Sequence, residues 1–182
     1  MPKLSAKRLH ERASKAKLVL MDVDGVLTSG HLYHFVDTAG ELVEFKGIHA
    51  QDSIALAWLA EAGLATGIIS GRISKGMEER AKMLKMTYIY QHRLDKKNVF
   101  EEICQKAKVA PEEVVYLGDD LPDIPVIKAA GIGVAVKNAR PEVKAVAGWV
   151  TSVPGGQGAV REVTEFVLRA KGLWQDVLAR YQ

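Results

Sequence analysis

Residues 18–28 read Leu18-Val19-Leu20-Met21-Asp22-Val23-Asp24-Gly25-Val26-Leu27-Thr28. A short apolar run gives way abruptly to two acids, two positions apart, and a glycine. Such a run, bounded by turn residues, reads as a strand buried on both faces, the kind found inside a parallel sheet. The strand is expected over 18–23, which puts Asp22 and Asp24 at its carboxyl end.

Outward from this stretch, apolar runs alternate with amphipathic ones. Residues 32–36 and 42–45 flank Asp37-Thr38-Ala39-Gly40, turn chemistry that joins two strands into a hairpin. Residues 52–62 read as a helix with Asp52 as its cap and Gly63 as its stop. Further strands are expected over 64–69, 87–90, 114–117 and 132–136, with a short edge strand over 148–150. Helices are expected over 74–84, 96–108 and 122–130, then over 159–171 and 174–181. This alternation predicts an α/β fold on a parallel sheet with right-handed crossovers. The expected organisation is one domain over 1–182, with a basic N-terminal helix over 1–17, a β-hairpin over 31–46 and a C-terminal helical tail over 155–182.

Composition bounds what such a chain can do. With 182 residues, 48% hydrophobic and 26% charged, it has an ordinary globular balance, not a disordered or collagen-like one. No run of 18 apolar residues occurs, so no membrane span is expected, and the run 18–21 is too short for a signal peptide. A single cysteine, Cys104, excludes a disulfide framework and a cysteine zinc site, and fits a reducing cytoplasmic setting. The net charge of +3 comes from the first 17 residues, where Lys3, Lys7, Arg8, Arg12, Lys15 and Lys17 face only Glu11. The remainder is slightly acidic. No aromatic residue interleaves the basic arm, so a solvated helix face is expected and nucleic-acid binding is not.

Ligands of parallel sheets bind beyond the carboxyl ends of the strands. At those ends stand Asp22 and Asp24; Ser70, Gly71 and Arg72; Asp95, Lys96 and Lys97; and Gly118, Asp119, Asp120 and Asp123. Several carboxylates in one crevice repel one another unless a cation sits among them. With oxygen donors only, that cation is expected to be Mg²⁺, which favours carboxylates, water and a substrate phosphate. Acids, a hydroxyl and a lysine around Mg²⁺ are equipment for phosphoryl transfer.

The same residues resemble the motifs of the haloacid dehalogenase superfamily of phosphotransferases. Asp22-Val23-Asp24-Gly25-Val26-Leu27-Thr28 is similar to its first motif, Ser70-Gly71-Arg72 to its second, Lys96 to its third and Gly118-Asp119-Asp120-Leu121-Pro122-Asp123 to its fourth. The resemblance implies a Rossmann-like parallel sheet sandwiched by helices. It implies Asp22 as nucleophile, Asp24 as general acid and base, and Ser70 and Lys96 as holders of the phosphoryl group. It places Mg²⁺ on the Asp22 carboxylate, the Asp24 backbone carbonyl and the Asp119 carboxylate, with Asp120 and Asp123 supporting. Thr28, His49, Asp52, Gly71, Arg72 and Arg161 are candidates for substrate contact.

Segments 25–69 and 72–96 are too short to hold the cap domain that most members insert there. A capless chain carrying Gly155-Gly156-Gln157-Gly158-Ala159-Val160-Arg161-Glu162 resembles the phosphatase family acting on keto-sugar acid phosphates such as 3-deoxy-D-manno-octulosonate 8-phosphate. That resemblance implies a homotetramer with hairpins packed together, a neighbour closing each site, and a place in lipopolysaccharide precursor synthesis. Relatives commonly read Phe-Asn-Val-Arg-Asp-Gly where this chain has Ile48-His49-Ala50-Gln51-Asp52-Ser53. The phosphoryl motifs are complete, while Gln51 and Ser53 mark a changed surface for the sugar, and nine-carbon acids share the same framework. A binding protein without turnover is the alternative from another class. His31 and His34 are expected on opposite faces of a strand rather than as a metal pair, Cys104 in the core, and Trp58, Trp149 and Trp174 in packing.

Overall fold

The computed structural model describes residues 3–182. The chain opens with helix α1 (Ala6–Lys15), capped by Ser5, and passes into strand β1 (Leu18–Met21), all four residues of which are buried. A tight turn, Val23–Leu27, follows β1 and kinks at Asp24 and Gly25. Then come β2 (Tyr33–Val36) and β3 (Leu42–Phe45), an antiparallel pair separate from the main sheet. Helix α2 (Ala50–Glu61), β4 (Ala65–Ile69), α3 (Lys75–Met83), β5 (Tyr88–Tyr90), α4 (Lys96–Ala107) and β6 (Val114–Gly118) continue the alternation. Helix α5 (Ile124–Ala129), β7 (Ile132–Ala135), α6 (Pro141–Val146), β8 (Trp149–Val150), α7 (Ala159–Ala170) and α8 (Trp174–Ala179) complete it.

Six strands form one parallel sheet in the order β5-β4-β1-β6-β7-β8, so β1 lies between β4 and β6. Its lack of alternation in the sequence is explained by helices covering the sheet: α1, α2 and α7 pack as one group and α4, α5 and α6 as another. Leu18, Leu20, Met21, Ile68, Tyr116 and Leu117 are fully buried between them. Between β1 and β4 the chain inserts only the hairpin and α2, which is no cap domain. Among the described residues no helix is long and apolar enough to cross a membrane.

Two local expectations are corrected and one helix is added. The helix expected from Asp52 starts at Ala50, with His49 at its cap position. Asp52 caps another helix instead: its carboxylate accepts the N–H groups of Gly158 (3.2 Å) and Arg161 (2.7 Å), satisfying donors at the start of α7 where Gly158 has no side chain to do so. The expected helix 122–130 is split into a 3₁₀ turn, Leu121–Asp123, capped by Asp120, and α5. Helix α6 was not anticipated, although Pro141 in its first turn is a start signal.

Candidate active site

The register of the sheet brings the expected residues to one edge. Met21 pairs with Ile68 on one side and Leu117 on the other, so the residues just beyond, Asp22, Ser70 and Asp119, emerge together at the carboxyl ends of β1, β4 and β6. Asp22 is buried and anchored by its own N–H to the carbonyl of Leu117 at 3.0 Å. Lys96, at the start of α4, is buried and bridges Asp22 Oδ1 (2.8 Å) and Asp123 Oδ1 (2.7 Å). Burial alone would lower the proton affinity of this amine, but the two carboxylates outweigh it and hold it charged. Ser70 is buried and its hydroxyl accepts the N–H of Arg72 at 3.2 Å.

Oxygens of Asp22, Asp119 and Asp123 lie within 4.8 Å of one another. The three are not equivalent. Fully buried Asp123 is saturated: Oδ1 accepts from Lys96 and the Tyr116 hydroxyl (2.7 Å each), and Oδ2 from the N–H groups of Asp119 (2.9 Å) and Asp120 (3.2 Å). Asp123 therefore fixes Lys96 and shapes the turn rather than offering a free oxygen. Asp120 is exposed and accepts the N–H of Leu121. Asp119 differs, because its Oδ1 is buried with no hydrogen-bond partner. Burial and the charges of Asp22 and Asp123 push Asp119 up to about 8, and burial pushes Asp22 up to about 6 despite Lys96. A buried carboxylate oxygen left without a donor, beside two further acids, suits a hard divalent cation such as Mg²⁺.

Glycine at position 25 makes the crowding possible. Gly25 has φ +95°, and a Cβ there would fall 2.2 Å from Asp119 Oδ2. The turn carrying Asp24 is also clasped from behind. Asn138 donates to the carbonyl of Gly25 (3.2 Å) and accepts the N–H of Gly155 (2.7 Å), while Gly156 donates its N–H to the carbonyl of Val26 (2.9 Å). A Cβ on Gly155 would lie 1.8 Å from the carbonyl oxygen of Gly25. The glycine-rich string is thus a backbone contact to the loop at the end of β1.

Several residues that the sequence did not single out complete the site. Lys46, at the base of the hairpin, has a side chain only 2% exposed and lies 2.8 and 3.0 Å from the two carboxylate oxygens of Asp24. It also reaches Glu44 at 3.3 Å, and Arg72 reaches Glu44 at 2.7 Å and Asp24 at 3.8 Å. Burial would raise the Glu44 carboxyl, but hydrogen bonds from Arg72 and Lys46 win and hold it low. A cavity of about 390 Å³ opens between the hairpin and α3, lined in part by Glu44, Lys46, Ile48, Met77 and Arg80. Glu44, Lys46 and Ile48 share a strand spacing and Met77 and Arg80 a helical one, but only the fold brings the two sets together.

The candidates for substrate contact divide. Exposed Arg72 lies next to Glu44 and Asp24, and Gly71, half-buried, precedes it. Half-buried His49 has a ring Nδ1 without a partner. Three are engaged elsewhere. Thr28 is fully buried, donating its hydroxyl to the carbonyl of Val23 at 3.2 Å. Asp52 is fully buried at the start of α7. The guanidinium of Arg161 lies over the Trp58 ring, 4.0 Å from its centroid, and pairs with Glu165. Trp58 also meets Trp174 at 5.6 Å, and Cys104 is buried, its thiol pushed up to about 11 by burial, as expected of core residues.

Residues 85–162 match the family model of haloacid dehalogenase-like hydrolases. The 3-deoxy-D-manno-octulosonate 8-phosphate phosphatase KdsC of Escherichia coli (strain K12) is 38% identical over 161 residues, 88% of this chain and 84% of that protein. The chain belongs to the haloacid dehalogenase-like hydrolases. Within that family its fold is similar to the crystal structure of 3-deoxy-D-manno-octulosonate 8-phosphate phosphatase from Moraxella catarrhalis, a complex with magnesium, phosphate and KDO. The TM-score is 0.91 at 34% identity, covering 98% of this chain and 100% of that one. The cobalt-bound deoxy-D-mannose-octulosonate 8-phosphate phosphatase (YrbI) from Haemophilus influenzae is similar too. Its TM-score is 0.83 at 33% identity, covering 90% of this chain and 93% of that one.

Proposed function

We propose that this hydrolase is a Mg²⁺-dependent phosphomonoesterase acting on a keto-sugar acid phosphate, 3-deoxy-D-manno-octulosonate 8-phosphate first among them. The observation that carries the reading is the Lys96-bridged carboxylate cluster in which one buried oxygen of Asp119 has no donor. The likeness to a phosphatase complex containing magnesium, phosphate and KDO supports the metal and the substrate class. The Asp22 and Asp119 carboxylates, with the backbone carbonyl of Asp24, would hold the metal. When bound, it supplies positive charge that offsets the cluster and the phosphoryl oxygens.

This chain's own residues divide the remaining work. Lys96 and Ser70 neutralise and orient the phosphoryl oxygens. The Asp22 carboxylate attacks phosphorus, forming an O–P bond as the ester oxygen departs. The Asp24 carboxyl gives that oxygen its proton, then takes one from the water that attacks the aspartyl-phosphate, which frees inorganic phosphate and restores Asp22. Lys46 holds the Asp24 side chain in place.

Exposed Tyr33, Phe35, Val36, Leu42 and Phe45 on the hairpin support a homotetramer in which hairpins of four copies pack together and close neighbouring sites. A cytoplasmic location and a role in lipopolysaccharide precursor synthesis belong to the same reading. The test is phosphate release from eight- and nine-carbon keto-sugar acid phosphates and hexose phosphates, with Mg²⁺ and with EDTA. Mg²⁺-dependent release favouring one keto-acid is expected, and Asp22→Asn should reduce it by a factor of about 10³ or more. Tight binding without release from any ester would instead establish a non-catalytic binding protein.

A further inference from the structure

One wall of the cavity between the hairpin and α3 is not used by the phosphoryl chemistry. Arg80, on α3, lines that wall and is half-buried. Its Nη2 donates to the hydroxyl of Ser53 on α2 at 3.0 Å. The same hydroxyl donates to the carbonyl of His49 at 3.4 Å, which turns its lone pairs toward the guanidinium. Among the described residues no carboxylate lies within ion-pair distance of Arg80, whereas Lys46 and Arg72 are both paired with Asp24 and Glu44. The cavity thus has one positive charge not already matched, and a neutral hydroxyl sets its direction.

The chemistry of the tether matters. A carboxylate in place of Ser53 would hold Arg80 equally well but would consume its charge. A hydroxyl restrains one nitrogen of the planar fork and leaves the others, with the full charge, to meet an incoming carboxylate. Restraining a long side chain before the ligand arrives also removes part of the ordering cost of binding. The resembling family commonly has glycine at this position, and glycine has no atom that could make the bond.

We infer that Ser53 is a positioning residue for recognition of the substrate's carboxylate, acting by holding the Arg80 guanidinium toward the cavity. The inference rests on the proposed function, since an acidic ester is what brings a carboxylate beside the phosphate. Ser53 touches no reacting atom, so its effect belongs in KM and not in kcat.

The test compares Ser53→Ala and Ser53→Thr with the wild type on 3-deoxy-D-manno-octulosonate 8-phosphate and on p-nitrophenyl phosphate, which lacks a carboxylate. Ser53→Ala is expected to raise KM for the acidic ester roughly three- to tenfold, with kcat changed less than about twofold. The KM for p-nitrophenyl phosphate should move by less than about twofold, and Ser53→Thr, which keeps the hydroxyl, should restore the acidic ester's KM to a similar margin. In an Arg80→Ala background, Ser53→Ala should have no further effect. An unchanged KM, an equal change for both esters, or full additivity with Arg80→Ala would overturn the inference. If the wild type turns over no ester, the proposed function has failed, and calorimetry with 3-deoxy-D-manno-octulosonate itself decides the matter. Weaker binding by Ser53→Ala then supports the role of Ser53, and equal binding, or none by either protein, refutes it.

Discussion

Asp119 is a charged residue that the fold makes expensive to charge. Its proton affinity rises from the ordinary 3.8 to about 8, so between those values the folded protein retains a proton that the unfolded chain has lost. More protons on the folded state mean that stability falls as pH rises through this window, and Asp22, raised to about 6, acts in the same direction over its lower part. In EDTA the melting temperature is expected to be lower near pH 8 than near pH 5.5. Mg²⁺ competes with those protons, so the stabilisation it gives should be larger at the higher pH. Calorimetry at the two pH values, with and without the metal, checks both signs. A stabilisation by Mg²⁺ that is greater at the acidic end would contradict the assignment of the carboxylate cluster as its site.

At the scale of elements, the turn after β1 and the start of α7 show how much a single residue can carry. Gly25→Ala would introduce a Cβ at φ +95° and 2.2 Å from Asp119 Oδ2. Left-handed backbone costs a residue with a side chain about 1 kcal/mol, and displacing the carboxylate should lower kcat/KM roughly 100-fold. Steady-state kinetics over a Mg²⁺ titration would show the loss together with weaker apparent metal affinity. Asp52→Ala removes the acceptor for two N–H groups at the head of α7, and should cost about 2 kcal/mol, a fall of roughly 4–8 °C in melting temperature. Asp52 also marks the boundary of what a sequence reveals. An acid at the head of an amphipathic stretch is the ordinary sign of a cap, and only the packing of α7 on α2 shows that it caps the other helix. The strand-end acids were legible because burial makes β1 uniformly apolar and the change to Asp22 abrupt. Lys46, Glu44 and Arg80 were not, because the patterns of the hairpin and of α3 are explained without them. Glu44 and Lys46 share a strand spacing, but what joins them to Arg80 is a position in space, which neither spacing nor periodicity encodes.

For the molecule as a whole, the exposed aromatic side of the hairpin is the feature that a single copy leaves unexplained. Tyr33 and Phe45 stack at 5.2 Å, yet each is about half exposed, an arrangement suited to burial by another copy. Light scattering is expected to give a mass about four times that of the 19.9 kDa chain, and Tyr33→Glu with Phe45→Glu to release smaller species. A monomeric wild type at micromolar concentration would remove the tetramer from the reading. The clasp of Asn138 and the Gly155-Gly156 pair on the turn after β1 bears on how the molecule is made. Asn138 and Gly25 are 113 residues apart, an interval of roughly 6–23 s at ordinary rates of translation. While it lasts, a nascent chain can have its first strands outside the ribosome but not the backbone that holds the Asp24 turn in place. Catalytic competence is therefore among the last properties the growing chain acquires, and a message cut short before Gly155 yields a sheet without a working site.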